Sequence, residues 1–264
     1  MKISVIGAGA MGGAMVQGML KGKTFANDDI TVADPSATAL EQFDGTGATI
    51  TTDNAQAAIA SDIVAVVVKP WLVESVLKGI KDNLDYARQM LIVVAAGVSS
   101  EQIKEWLDKC DGTMIPLFLV IPNTAIAVMN SMTFVVPVGA SEEQTAIVKA
   151  LFDEMGSTLI TEERLLAAGT TLASCGIAYA MRYVRAASEG GVEIGFKADD
   201  AKAIVLQTVK GAVELLQANG NHPEAEIDKV TTPGGVTIKG LNEMEHAGFS
   251  SAVIRGIKAG MNSR

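Results

Sequence analysis

The sequence predicts an α/β fold: an N-terminal doubly wound, mostly parallel sheet, then an all-helical C-terminal domain. Three observations carry this. Short β-branched and aliphatic runs recur through residues 1–161, with helix-period stretches between them, the rhythm of βαβ units. The runs are continuously apolar rather than alternating, the mark of strands covered on both faces. After residue 161 the strand signal stops, and residues 162–264 favour helix throughout. Two domains are therefore expected, 1–161 and 162–264.

The elements follow in order. Strands are predicted at residues 2–6, 30–33, 48–51, 63–68 and 90–95, with helices between and after them at 11–21, 36–43, 55–60, 72–84 and 100–109. Ser99 and Gln102 form a capping box at the start of the last helix. Further strands are predicted at 115–121, 132–137 and 158–160, with a helix over 142–155 behind Ser141 as its cap. The second domain divides into helical stretches at 162–188, 198–219, 223–230 and 236–261. Its breaks are predicted at Gly190-Gly191, at Gly220 and at Pro233-Gly234-Gly235. Its apolar runs, such as Leu165 with Leu166 and Ile177 to Met181, need a covering surface, either the first domain or a second copy.

Composition excludes several function classes. Of 264 residues 48% are hydrophobic, which excludes disorder. The net charge of −9 argues against nucleic acid as a partner but not against a small anion held locally. Cys110 and Cys175 stand far apart, with no CxxC or Cys/His cluster. That fits a reducing, cytoplasmic setting, with both expected as buried small side chains and no metal site. Residues 113–141 carry no charge, but Pro116, Pro122 and Pro137 interrupt them, so two buried strands are expected rather than a membrane span.

The first chemical site lies at the start. Strand 2–6 runs into Gly7-Ala8-Gly9-Ala10-Met11-Gly12 and then a helix, which is G-x-G-x-x-G in its structural context. The glycines allow a tight turn, close approach to a pyrophosphate and close helix packing, while the helix start faces the phosphates. This is the signature of a Rossmann-type dinucleotide site. Asp34 ends the second strand, where a carboxylate would accept the adenosine ribose hydroxyls; a plain helix N-cap is its other reading. No arginine follows it, although Ser36 and Thr38 could bond a 2′-phosphate, so NADH and NADPH both remain open. Val68-Lys69-Pro70 closes the fourth strand at the ligand edge, where Lys69 is either a ligand contact or solvated. Ala95-Ala96-Gly97 closes the fifth, leaving room for a flat nicotinamide ring or for close helix packing.

With these pieces placed, the chain resembles the pyrroline-5-carboxylate reductase family over nearly its whole length. The matching residues are Gly7 to Gly12, Asn54, Val68-Lys69-Pro70, Ala95-Ala96-Gly97-Val98 and Pro122-Asn123-Thr124. In the second half they are Gln207-Thr208-Val209 with Gly211, Asn221-His222-Pro223 and, as the family's signature, Val230-Thr231-Thr232-Pro233-Gly234-Gly235-Val236-Thr237-Ile238, followed by Leu241 and Glu245. The resemblance implies that Asn54 and Lys69-Pro70 line the dinucleotide and Ala95-Ala96-Gly97 the nicotinamide. It implies that Thr232, Gly234, Gly235, Val236 and Thr237 hold the carboxylate and ring nitrogen of a small imino acid. It further implies NADPH- or NADH-dependent reduction of the C=N bond of 1-pyrroline-5-carboxylate to L-proline, the last step of proline biosynthesis. Thr237 would be the catalytic contact, and the assembly a homodimer through the helical domain, extended in some members to a ring of dimers.

The chain departs from the family pattern at several points. Ala173-Ser174-Cys175-Gly176-Ile177 stands where the family usually reads Ser-Gly-Ser-Gly-Pro. Ala125 replaces the usual proline after Asn-Thr, the arginine usual before Pro-Asn-Thr is absent, and Met129-Asn130-Ser131 replaces a glycine–acid–glycine run. Two rival readings are a β-hydroxyacid-type dehydrogenase and a non-catalytic NAD(P)-binding sensor. The first would need a G-x-x-x-K-x-x-N helix, yet Gly169 and Gly176 are followed four residues on by Ala173 and Ala180.

Overall fold

The protein is described here as a computed structural model, covering residues 1–110 and 112–261. The last three residues of the expected helical domain lie outside it. The strands are β1 (Ile3–Ile6), β2 (Ile30–Ala33), β3 (Thr49–Thr51), β4 (Ile63–Val66), β5 (Met90–Val93), β6 (Leu117–Ile121), β7 (Ser131–Val138) and β8 (Gly156–Ile160). They form one sheet in the order β3-β2-β1-β4-β5-β6-β7-β8. Every pairing is parallel except β6 with β7. The chain reverses direction across the sheet between β1 and β4, which opens a crevice at their carboxyl ends. All eight strands stand where the sequence expected them; β1 and β3 to β6 are trimmed by one or two residues, while β7 and β8 begin or end one or two residues beyond the expected bounds.

The helices of this part are α1 (Ala10–Lys21), α2 (Ala37–Leu40), α3 (Asn54–Ile59), α4 (Pro70–Ile80), α5 (Ser100–Leu107), α6 (Glu142–Glu154) and α7 (Leu166–Gly169). Capping boxes start α5 (Ser99 with Gln102) and α6 (Ser141 with Gln144), each satisfying two backbone N–H groups that the helix itself leaves unpaired. Alternate strand residues feed two cores. Ile3, Val5, Ile63, Ile92 and Phe118 pack with α1 and α6 on one face. Ile6, Val64, Val66, Leu91 and Leu119 pack with α3, α4 and α5 on the other. Ser4 of β1 is fully buried and its hydroxyl has no partner.

The chain divides into compact units at residues 1–175 and 176–264. The strands end where the domain boundary was expected, but the compact sheet unit continues past it to Cys175. The second unit consists of α8 (Gly176–Glu193), α9 (Ala198–Asn219), α10 (Pro223–Lys229), α11 (Val236–His246) and α12 (Phe249–Met261). Two expectations are corrected here. Gly190-Gly191 does not break a helix; both lie within α8, where a Cβ on Gly191 would stand 2.9 Å from Ala201 Cβ of α9. Its small size therefore serves helix–helix approach, and the chain turns instead at Gly195, φ +110°. The single helix expected over 236–261 is split at Ala247-Gly248, where Gly248 adopts φ +84°. Gly220 does end α9, in the left-handed conformation of a helix C-cap.

Among the described residues of the second unit only Ala201 is fully buried. Met181, Ile194, Leu206, Leu215 and Ile254 are each at least half exposed. A helical unit with so little interior of its own needs a covering surface. No helix among the described residues is long and apolar enough to cross a membrane. Cys110 corrects a further expectation: it is exposed, at φ 60° in the turn beyond α5, and Cys175 is only half-buried.

Candidate functional site

The glycine-rich loop is shaped by close backbone contacts. Gly7 adopts φ +110°, and a Cβ there would lie 2.2 Å from the Val67 carbonyl oxygen. Its N–H donates to the Ala33 oxygen at 2.7 Å. A Cβ on Gly12 would stand 1.8 Å from the Gly7 oxygen, so the first turn of α1 lies directly on the loop. Gly9 differs: a Cβ there would meet nothing within 4 Å. Packing therefore does not require a glycine at this position. Gly9 is the N-cap of α1 without a side-chain cap, and the first intrahelical bond runs from Gly13 N to the Gly9 oxygen. The N–H groups of Ala10, Met11 and Gly12 therefore precede the helical ladder, in the position that favours an anion.

Asp34 braces this loop from the end of β2. Its Oδ2 accepts from Ala8 N at 2.8 Å and its Oδ1 from Ser36 N at 2.9 Å. The helix N-cap reading of Asp34 is thus corrected, because the Ser36 hydroxyl caps α2 by accepting from Ala39 N at 3.3 Å. Gln42 adds a bond to the Ala8 oxygen. Sequence inspection missed Gln42, whose partner lies 34 residues away and leaves no local signal.

Asn54 opens α3, with Asp53 as N-cap accepting from Ala55 and Gln56. The Asn54 Oδ1 is buried and lacks a hydrogen-bond partner. Asp53 and Asn54 line one side of a cavity of 480 Å³, and Ser75, Val76 and Gly79 of α4 line the other. Lys69 is the N-cap of α4 and is exposed, with Pro70 in the first turn. Along the same edge, Ala95, Ala96 and Gly97 follow β5, and Gly97 has φ +81° with open space where a Cβ would stand. Val68 packs against the core of the α4 face. The residues expected at the dinucleotide thus all follow the carboxyl ends of strands β1 to β5. The bare Gly9, the free N–H groups of α1 and the orphaned Asn54 oxygen fit a dinucleotide.

In the helical unit the signature segment forms a defined turn. Gly235 N donates to the Thr232 oxygen at 2.9 Å across Pro233 and Gly234, with Gly234 at φ +70°, the geometry of a type II turn. A Cβ on Gly235 would lie 2.4 Å from Thr232 Oγ1 and 3.0 Å from the Thr232 carbonyl oxygen, so a larger residue there would have to displace that hydroxyl. Gly235 is the N-cap of α11 and has no side-chain cap. The first-turn N–H groups at Val236 and Thr237 are left for an outside acceptor. Thr232 and Thr237 are both exposed, as is Val236. Asn221-His222-Pro223 has a structural role: His222 Nδ1 accepts from Glu224 N at 3.3 Å to cap α10. Hydrogen bonds from Lys229 and then Asn221 hold the Glu226 carboxyl below the usual range.

Comparison with known proteins matches these two regions separately. Residues 163–264 match the family model described as pyrroline-5-carboxylate reductase dimerisation. Residues 2–97 match one described as NADP oxidoreductase coenzyme F420-dependent. The chain oligomerises through its C-terminal region. It is 38% identical to pyrroline-5-carboxylate reductase 1 of Dictyostelium discoideum, over 97% of this chain but 48% of that protein. It is 34% identical to pyrroline-5-carboxylate reductase 2 of the same organism, over 97% of this chain and 89% of that one. A crystal structure of the 1-pyrroline-5-carboxylate reductase of Streptococcus pyogenes is similar at TM-score 0.86 and 28% identity, covering 99% of this chain and 97% of that one. With matches of this extent spanning both the glycine-rich loop and the threonine–glycine turn, the chain belongs to the pyrroline-5-carboxylate reductase family.

Proposed function

We propose that the protein reduces the C=N bond of 1-pyrroline-5-carboxylate with NADPH or NADH, giving L-proline. The observation that carries this is the turn at residues 232–237: a helix start with no side-chain cap, fixed by a type II turn and flanked by two exposed hydroxyls. It suits a carboxylate next to a ring nitrogen. A reduced nicotinamide, when bound, supplies the hydride for the imine carbon. The chain's own part is to bind and orient. Gly7, Gly9, Ala10, Met11 and Gly12 hold the pyrophosphate, and Asp34, Ser36 and Asn54 face the adenosine half. Val68, Lys69 and Pro70 line the middle, and Ala95, Ala96 and Gly97 leave a flat space for the nicotinamide. Thr232, Gly234, Gly235 and Val236 take the substrate carboxylate, and the Thr237 hydroxyl contacts the imine nitrogen. An imine is electrophilic without strong acid–base help, so positioning supplies most of the rate.

The relatives' names support this reading, as does a solved pyrroline carboxylate reductase of Plasmodium falciparum with NADP bound, whose fold this chain shares. The same reading has the exposed helical unit pairing with a second copy, dimers joining into a ring, and the enzyme working in the cytoplasm. The test is spectrophotometric: loss of NADPH and of NADH followed with and without 1-pyrroline-5-carboxylate. Imine-dependent oxidation is expected. Nucleotide binding without it would overturn the assignment in favour of a non-catalytic sensor.

A further inference from the structure

Residues 163–174 do not belong to the helical unit. They form a strap against the sheet, pinned at both ends. At one end the Glu163 carboxylate spans Ser100: Oε1 accepts from the backbone N–H at 2.8 Å and Oε2 from the hydroxyl at 2.6 Å. At the other the Ser174 hydroxyl donates to the Pro122 carbonyl at 2.7 Å. Between them Leu166 packs on the core beneath α5, and Gly169 lies so close to Phe134 that a Cβ would sit 3.0 Å from its ring.

The two polar pins fall on adjacent loops. Ser100 is the first residue of α5, directly after the Ala95-to-Ser99 connection from β5. Pro122 closes β6, and β5 and β6 are hydrogen-bonded neighbours. Both loops stand at the carboxyl edge on the β4–β6 half of the sheet, away from Asp34 and β2. In a doubly wound sheet a dinucleotide lies across this edge, so its adenosine falls over β2 and its nicotinamide over the β5–β6 side. The strap reaches Pro122 through a π-helical turn at Thr170–Ser174, a rare geometry that concentrates at functional sites. The β6 loop is also tied by Asn123 Oδ1, which accepts from Ala125 N at 3.0 Å, a bond that the family's usual proline could not donate. Ser174, likewise, stands where the family pattern has a glycine.

We propose that Glu163 and Ser174 are positioning residues that hold the β5 and β6 loops in the arrangement that receives the nicotinamide ring. The proposal rests on the dinucleotide reading above. Neither residue touches the ring; each acts through the loop it pins. A carboxylate at the α5 start makes charge-assisted bonds that the helix dipole reinforces. Glu163→Gln keeps one acceptor and should act more mildly than Glu163→Ala.

The test separates the two halves of the ligand by calorimetry. Each protein is titrated with NADP+ and with 2′-phospho-ADP-ribose, or with NAD+ and ADP-ribose if those bind tighter. The variants Glu163→Ala, Glu163→Gln and Ser174→Ala should keep the affinity for the nicotinamide-free fragment within about twofold. Their preference for the whole dinucleotide should shrink, by about tenfold in Glu163→Ala. The isotope effect on kcat with 4-deuterated reduced cofactor should rise in parallel, as hydride transfer becomes limiting. Unchanged preference in all three variants overturns the proposal. So does an equal loss of affinity for both ligands with a lower Tm, which marks a purely structural strap. The binding comparison stands even if imine reduction is absent, so failure of the reaction assignment and failure of the strap are distinguishable.

Discussion

Gly9 and Gly12 look equivalent in the motif, but the structure assigns them opposite consequences on substitution. Gly9 sits at φ −67°, ψ −171°, open to any residue, and an added Cβ meets nothing within 4 Å. Gly9→Ala should therefore fold at least as well as the parent, gaining about 0.4–1 kcal/mol from the stiffer unfolded chain. The methyl group, however, occupies the space where a pyrophosphate must approach the free N–H groups of α1. Losing one hydrogen bond to a charged oxygen costs about 1.5–3 kcal/mol, which is about 10- to 150-fold in affinity. Thermal melts with and without cofactor give the readout. At a ligand concentration of about 100 Kd the parent gains about 2.7 kcal/mol, or about 5–11 °C. At the same concentration a variant weakened about a hundredfold gains only about 0.4 kcal/mol, a shift of about 1–2 °C. Gly12→Ala should instead lower Tm without any ligand, because its Cβ would stand 1.8 Å from the Gly7 oxygen. That clash is with backbone, so its cost lies at or above the about 1–3 kcal/mol of ordinary overpacking. A Gly9→Ala protein that keeps the parent's full cofactor shift would refute the reasoning.

Thr237→Ala should lower turnover more than about tenfold, about 1.4 kcal/mol of transition-state stabilisation, in steady-state assay; a parental rate removes Thr237 from the mechanism. Ser4→Ala should raise stability by up to about 1–3 kcal/mol in urea unfolding, because it deletes a buried hydroxyl that has no partner; a destabilised variant would show that the hydroxyl is bonded after all. Burial pushes the Glu154 carboxyl up, but hydrogen bonds from Thr24 and Lys23 and the Lys23 charge together outweigh it and leave it lowered. Its stabilising contribution is then present above the ordinary glutamate value and is lost as pH falls through the lowered one. Glu154→Gln should accordingly flatten the acid limb of a Tm-against-pH curve, and an unaltered limb would contradict the linkage.

What the sequence made legible was local or periodic. Short β-branched and apolar runs located all eight strands, although β3 and β8 are partly exposed rather than covered on both faces. A serine–glutamine spacing located the start of α5 and a serine cap that of α6, because each signal lies within a few residues. The Gly7-to-Gly12 loop was readable for the same reason. The glycines of the helical unit were harder. Gly191 and Gly248 look alike in sequence, yet one permits contact with Ala201 while the other turns the chain. Only the neighbouring helix distinguishes them. The strap was invisible, since Glu163 meets Ser100 across 63 positions and Ser174 meets Pro122 across 52. Cys110 was misjudged because residue type favoured burial, whereas its backbone places it in an exposed turn.

The near-absence of an interior in the helical unit also bears on how the chain comes to be made. The sheet unit occupies the first 175 residues and carries both hydrophobic cores, so it can consolidate while the remainder is still leaving the ribosome. The helices arrive last and carry their apolar side chains outward until another surface covers them. If that surface is a second copy, as proposed above, the last step of maturation is second order in chain concentration. Newly made molecules at low abundance would then wait longest with those side chains uncovered.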